Sequence, residues 1–355
     1  MAPEDYVAFV LDLVSREPFD VLLPIHEQGL ALAKVRGQLA QHVAVALPSF
    51  EAYERAHSKA GFSGLLSELG LPQPRTQMIE TPQQARAIDE FPTVLKTAIG
   101  TASRGVWTVH SATELDRAVS ELERHDAFRD PILAQEFIDD PVEHAQAVFD
   151  HGRLIGMHAY RQIVRGVGGG DAVKESVSRP RVRAHLARIG EALAWHGALS
   201  VDYLLRGDHE PVYIDCNPRL VEPMSGVLAD NDLLGHLLQV TLNRHPAPSP
   251  ASPEGVRTHL ALQALLGCAT RTQSRLELAL ECWRLAVGSG RYAGSQEELT
   301  PLKWDWPSVI PLWAAAIWLA IKPAAANDMH RKGWGRHLLN PESVRRIREQ
   351  IIQQV

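Results

Sequence analysis

The stretch "GALSVDYLLRGDHEPVYIDCNPRL", residues 197–220, sets two carboxylates, an amide and a guanidinium into runs that otherwise read as buried strand. A hairpin through Gly207-Asp208-His209-Glu210 pairs Arg206 with Pro211, and counting back sets Asp202 opposite Asp215. Side chains alternate faces along a strand, so Asp215, Asn217 and Arg219 share one side, and Asp202 joins them as the partner of Asp215. Like charges directly opposite each other weaken a strand pair. A hard cation between them reverses the sign. Two carboxylates and one amide offer only oxygen, which suits Mg²⁺, or Mn²⁺ in its place, completed by water and phosphate oxygens. Arg219 adds a donor for a phosphate or a carboxylate. A solvent-facing polar hairpin with a surface Asp–Arg pair is the plain alternative.

A metal with so few protein ligands calls for a phosphate cradle elsewhere. No G-x₄-G-K-[ST] loop occurs, and "RGVGGGDA" has its glycines at the wrong spacing for a dinucleotide fingerprint. The segment "VLKTAIGTASRGV", residues 94–106, places Lys96 inside an apolar strand, costly unless its ammonium meets an anion. Gly100, Thr101, Ala102, Ser103, Arg104 and Gly105 then form a loop whose N–H groups can turn toward phosphate oxygens.

The elements needed to hold these residues are legible along the chain. Residues 3–15 carry helical apolar spacing; "DVLLP" (20–24) and "VAVAL" (43–47) read as short buried strands around a helix at 27–40, and Pro-Ser opens a helix at 49–56. Pro72 and Pro74 mark a linker, followed by a compact α+β unit ending near residue 140. "HAQAVFD" and "RLIGMHAYR" read as strands turning at His151-Gly152, with "GVGGGDAVKES" as a loop and a helix from about 179 to 196. After the Pro/Ser linker "RHPAPSPASPEG" the chain reads as nearly all helix, ending in one capped by Asn340 with Pro341 at its first position. The expected divisions are 1–75, 76–140, 141–245 and 246–355.

Together these motifs resemble the ATP-grasp superfamily over most of residues 20–245. That resemblance implies α/β and α+β architecture: an ATP-grasp fold with a truncated N-terminal α/β domain, because no strand precedes the first helix, and a mostly helical C-terminal extension. It gives Lys96 and Lys59, the latter in "HSKAGFSGLLSELGLPQPRT" with Ser58 where the family carries aspartate, to the phosphates of ATP. Gln135, Glu136, Phe137 and Ile138 would read the adenine edge, and Glu143 would hold the ribose. Asp202, Asp215 and Asn217 would hold Mg²⁺, with aspartate at 215 where glutamate is commoner, and Arg219 would brace an acyl phosphate. The implied reaction joins a small-molecule carboxylate to an amine at the expense of ATP. Phosphotransfer, carboxylation and a non-catalytic nucleotide-binding role are the alternatives.

Substrate contacts are expected from Glu27 at the end of the first strand, from Arg161, Arg165 and Lys174 on a loop closing over the site, and from Glu222. The 355 residues are 45% apolar and 22% charged, enough for a real core. A net charge of −6 gives no reason to expect nucleic acid. Cys216, Cys268 and Cys282 read as reduced core residues, and the acidic start "MAPEDYVAFVLDL" does not resemble a signal peptide, so a cytoplasmic protein is expected. "VIPLWAAAIWLAI", residues 309–321, falls short of the roughly 18–20 apolar residues that cross a bilayer. It is expected to be buried against the body or in a homodimer contact, with peripheral membrane contact the lesser alternative.

Overall fold

The computed structural model describes residues 2–100, 105–207, 210–301, 305–332 and 339–349. The N-terminal layer is helical. Helix α1 (Pro3–Arg16) buries Val7, Val10 and Val14, spaced three and four apart, and is followed by α2 (Gly29–Lys34) and α3 (Arg36–Leu39). The single helix expected at 27–40 is interrupted at Val35, whose φ of −113° and ψ of 19° leave the helical region. The strands expected at 20–24 and 43–47 shrink to one parallel bridge, Val21 to Ala44, and Leu23 is exposed rather than buried. Pro24 lacks the N–H that a longer ladder would need. Ser49 caps α4 (Phe50–His57), and Ser58 caps α5 (Lys59–Glu68) by accepting the Gly61 N–H.

A four-stranded antiparallel sheet follows, with order β1-β4-β2-β3, from β1 (Thr76–Ile79), β2 (Thr93–Thr97), β3 (Val106–Val109) and β4 (Ile132–Glu136). Helices α6 (Pro82–Arg86) and α7 (Ala112–Arg124) cover one face; α7 sets Leu115, Ala118, Val119 and Leu122 against Ile79, Leu95 and Ile132. Leu95 belongs to that core, so its neighbour Lys96 turns to the other face.

The larger sheet has order β11-β10-β7-β6-β5-β8-β9. Its strands are β5 (Val142–Asp150), β6 (Arg153–Arg165), β7 (Asp171–Val177), β8 (Gly197–Arg206), β9 (Glu210–Asn217), β10 (Arg257–His259) and β11 (Gln296–Glu297). The β5–β6 turn is His151-Gly152, both with positive φ. The stretch 166–176, expected as a loop, is mostly strand β7, paired to β6 on one side and β10 on the other. The sheet therefore extends past the Pro/Ser linker: two strands beyond residue 246 complete its edge.

Helix α8 (Pro180–Ala192) covers one face, packing Val182, Leu186 and Ile189 with Ala145, Ala147, Val201 and Tyr203. Each such buried Leu or Ile contributes about 1.5–3 kcal/mol. On the other face lie α9 (Met224–Leu228) and α10 (Leu233–Thr241), whose Leu233 and Val240 meet Val148 and Ile155.

Helices α11 (Ala261–Thr272), α12 (Arg275–Val287), α13 (Val309–Ile321) and α14 (Ala325–Lys332) form a separate cluster, while α15 (Pro341–Glu349) returns to α1, burying Val344 and Ile347. Asn340 caps α15 by accepting the Ser343 N–H at 2.7 Å. The expected burial of 309–321 holds for one edge alone: Ala316 and Leu319 are buried, whereas Ile310, Trp313, Ile317, Trp318 and Ile321 are exposed. Among the described residues no helix is long and apolar enough to cross a membrane. Cys216 and Cys268 are buried and unpaired.

Candidate nucleotide and metal site

The β8–β9 hairpin meets its predicted pairing by an unpredicted route. Arg206 pairs with Glu210, not Pro211, so the connection is one residue shorter than the sequence suggested. A bulge between Asp202 and Tyr203 then restores the count: Tyr203 faces Tyr213, Ile214 is left over, and Asp202 faces Asp215. The leftover residue has a use. The Ile214 carbonyl accepts a hydrogen bond from Lys96 Nζ at 3.0 Å, tying β2 of the small sheet to the hairpin of the large one.

Lys59 reaches the same place from the first turn of α5. Its Nζ donates to both carboxylate oxygens of Asp215, at 2.9 and 2.8 Å, and to the Gly100 carbonyl at 3.1 Å. Asp215 Oδ1 also accepts the Cys216 N–H. Both lysines are buried. Desolvation pulls Lys96 down to about 8, with Asp215 opposing and Lys59 reinforcing the fall.

Asp202 is paired with His144, a residue the sequence reading did not select. His144 stands directly opposite Asp202 on β5, and its Nδ1 lies 2.7 Å from Asp202 Oδ1. Its ring stacks on Tyr160, and Nε2 lies 3.6 Å from Asp171 Oδ2. Burial disfavours its charged form, but Asp202, Asp171 and Glu222 outweigh burial and lift it to about 9. Each aspartate is thus neutralised by a protein cation. The signal in the sequence was parity: His144 and Glu143 are neighbours on a strand, so one of them had to face the aspartates.

Beside Lys59 and Asp215 lies a narrow cleft, with a free interior of only about 10 Å³, lined by Glu27, Tyr53, His57, Asn217 and Arg219. Glu27 is buried, its carboxyl raised by desolvation, and Oε2 accepts the Leu339 N–H at 3.0 Å. Burial, with Arg219 adding to it, lowers His26 to about 4; burial, then Lys59 and Arg219, does the same to His57. The imidazoles are neutral, and among the described residues the cations lining the cleft are Lys59 and Arg219.

The remaining expectations divide. Gly100 joins the cleft, and Gly105, with φ of 76°, sits so close to Thr97 that a Cβ would lie 2.1 Å from its hydroxyl. Thr101, Ala102, Ser103 and Arg104 lie outside the described residues. Gln135 and Glu136 end β4, where Gln135 Nε2 donates to Thr76 and Glu136 accepts from the Arg75 N–H and Arg206; Phe137 and Ile138 begin the link to β5.

Glu143 does not share the face of the two aspartates. It lies opposite Tyr203, on the α8 face of the sheet, and its carboxylate is taken by Arg179 at 2.7 and 2.6 Å and by the Tyr203 hydroxyl at 3.0 Å. Arg161 opposes Glu143 on the same face and pairs with Glu175. Arg165 is exposed at the end of β6. Lys174 is not on a closing loop: it is a buried strand residue held by Glu222 at 2.5 Å and Glu298 at 2.8 Å. Glu222, with φ of 56°, is committed to that lysine.

No family model matches the chain. The large chain of carbamoyl phosphate synthase from Rubrobacter xylanophilus is 27% identical over 271 residues, covering 68% of this chain and 24% of that one. The chain therefore spans about a quarter of the length of the curated relatives it matches. Among solved structures, biotin carboxylase from Campylobacter jejuni in complex with β-γ-ATP superposes with a TM-score of 0.53 at 20% identity, over 66% of this chain and 56% of that one. Carboxyaminoimidazole ribonucleotide synthase from Aspergillus clavatus, complexed with ATP, gives 0.53 at 15% identity over 81% and 79%. Two sheets with a lysine from each side meeting at a paired-aspartate hairpin, together with these likenesses, give the chain the ATP-grasp fold.

Proposed function

We propose that the protein binds ATP with Mg²⁺ between its two sheets and activates a small-molecule carboxylate as an acyl phosphate, which an amine then attacks with release of ADP and phosphate. The observation that carries this reading is the convergence of Lys59, Lys96 and the Asp202–Asp215 pair from three separate elements. Asp202, Asp215 and Asn217 fit a hard divalent ion, being all oxygen donors on one sheet face, and the ion would neutralise charge on the transferring phosphoryl group. Lys96 and Lys59 would bind phosphate oxygens, Lys59 exchanging Asp215 for the incoming anion. Arg219, in the cleft beside them, would orient the carboxylate by a bidentate contact. Glu27, buried at the same cleft, would receive the amine. Gln135 to Ile138 would meet the adenine edge. Such catalysis is positioning and electrostatics, so no nucleophilic side chain is required.

A second reading takes bicarbonate as the acid, favoured by the likeness in fold to a 2-oxoglutarate carboxylase biotin carboxylase domain from Hydrogenobacter thermophilus in complex with MgADP, ADP and bicarbonate. One experiment tests both. The protein is incubated with ATP, Mg²⁺ and hydroxylamine, with pools of organic acids in one arm and bicarbonate in the other. Hydroxamate supports the first reading, and bicarbonate-stimulated ADP release supports the second. Asp215→Asn should abolish either signal and the thermal shift given by Mg²⁺-ATP. Loss of neither in that variant, or no thermal shift in the wild type, refutes the site. A wild-type shift with no ADP formed points to a nucleotide-binding protein without catalysis.

A further inference from the structure

At the far end of β5 from His144, about 20 Å away at 3.3 Å per residue, a second group of ligand-type side chains gathers on Asp150. This carboxylate is buried, 7% exposed, where β5 ends. His151 follows in the turn, and His196 arrives from the connection between α8 and β8. One oxygen of each carboxylate or one nitrogen of each ring lies within 4.8 Å of the others.

The two oxygens of Asp150 have different surroundings. Oδ2 is held by His245 Nδ1 at 2.8 Å and by Arg153 at 3.3 Å, and Arg153 is itself fixed to the Pro246 carbonyl. Oδ1 faces two imidazole nitrogens, His151 Nδ1 at 2.9 Å and His196 Nδ1 at 3.7 Å, and the latter also accepts the His151 backbone N–H at 3.4 Å, a long bond that an ion would replace. The two rings stack with centroids 3.9 Å apart. Around an ion with bonds of about 2.0–2.1 Å, tetrahedral ligand atoms stand about 3.3–3.4 Å from each other. The two observed separations bracket that value.

We propose that Asp150 Oδ1, His151 Nδ1 and His196 Nδ1 form a site for a borderline divalent transition ion of the Zn²⁺ class, separate from the Mg²⁺ expected at Asp202 and Asp215. Imidazole nitrogen with one carboxylate oxygen selects such an ion over Mg²⁺, which keeps to oxygen. Three protein ligands leave one position for water. His245 and Arg153 serve as the outer contacts that fix the carboxylate, the arrangement that tunes metal sites generally. The ion ties the β5–β6 turn to the start of β8 and so braces the strand that carries His144.

The test is calorimetric titration of the full, untagged chain with Zn²⁺ in excess Mg²⁺, paralleled by Co²⁺ absorption in the visible. The wild type should bind one equivalent and show the bands of a four-coordinate Co²⁺ complex. His151→Ala and His196→Ala should each weaken binding tenfold or more, while His125→Ala, at the C-terminal end of α7, leaves it unchanged. His151 is exposed, so its variant folds even if the His196 variant does not. Absence of the equivalent in the wild type, or binding indifferent to His151→Ala, overturns the site. Because Mg²⁺-ATP binding is read separately, failure here leaves the nucleotide reading standing, and the reverse.

Discussion

Replacing Lys174 by Met should expose how much of the central sheet depends on one buried charge. Lys174 is 1% exposed, with Nζ 2.5 Å from Glu222 and 2.8 Å from Glu298, whose side chain is also 1% exposed. Removing one partner of such a group costs about 3–5 kcal/mol, since it strands a carboxylate without its counterion. The pH dependence is sharper than the magnitude. Burial raises Glu298 to about 7 against the pull of Lys174, so its contribution is full below about 4.5 and lost as pH rises to about 7. Above that point the wild type loses no more, because Glu298 is ionised in both states. Without Lys174 the native carboxyl holds its proton to higher pH, and the loss continues at about 1.4 kcal/mol per pH unit. The penalty at pH 8 should therefore exceed that at pH 5.5 by at least about 1.4 kcal/mol. Thermal or urea unfolding at the two pH values reads this directly, with a drop of about 6–20 °C expected at pH 8. Adding Glu298→Gln should recover much of it. A penalty equal at both pH values would refute the reasoning.

Lys96→Met should make the nucleotide-free protein more stable at pH 7, by about 1–2 kcal/mol after the lost bond to the Ile214 carbonyl is deducted. The depressed value of about 8 means the buried ammonium is unfavourable below pH 8, and the gain should close as pH rises toward about 10.5. The same variant should lose its Mg²⁺-ATP thermal shift; a lower melting temperature at pH 7 would count against it. His144→Gln should destabilise by about 2 kcal/mol at pH 6, after allowance for the partly exposed Asp202. His144 is raised, so this contribution is present below about 6.5 and lost as pH rises through about 9. Urea titrations at pH 6 and 9.5 that give the same difference would contradict it.

Where a residue's neighbours are local in sequence, the chain was readable. Ser49 and Asn340 cap the helices that follow them. Where the decisive partner is distant, it was not. The strand in "GVGGGDAVKES" looked like a glycine loop because β7 is completed by β10, more than eighty residues on. The apolar run at 20–24 looked like a strand, yet Pro24 and the lack of a continuing ladder leave only one bridge. Lys174 looked mobile because its two glutamates come from residues 222 and 298.

Parity explains both the success and the failures at the site. The Asp202–Asp215 pairing was reached by counting an unbulged hairpin from a loop one residue too long, and the two differences cancel at the aspartates. They do not cancel nearer the turn, where Tyr203 faces Tyr213 instead of Ile214. That leftover residue is what frees a carbonyl for Lys96, so a register irregularity joins the two sheets. Parity also separates Glu143 from His144. Once β5 pairs with β8, His144 must share the face of Asp202, and Glu143 must face α8 with Tyr203 and Arg179. A single residue of offset along β5 thus divides the sheet's stabilising ion pair from the cation that neutralises the candidate metal ligand.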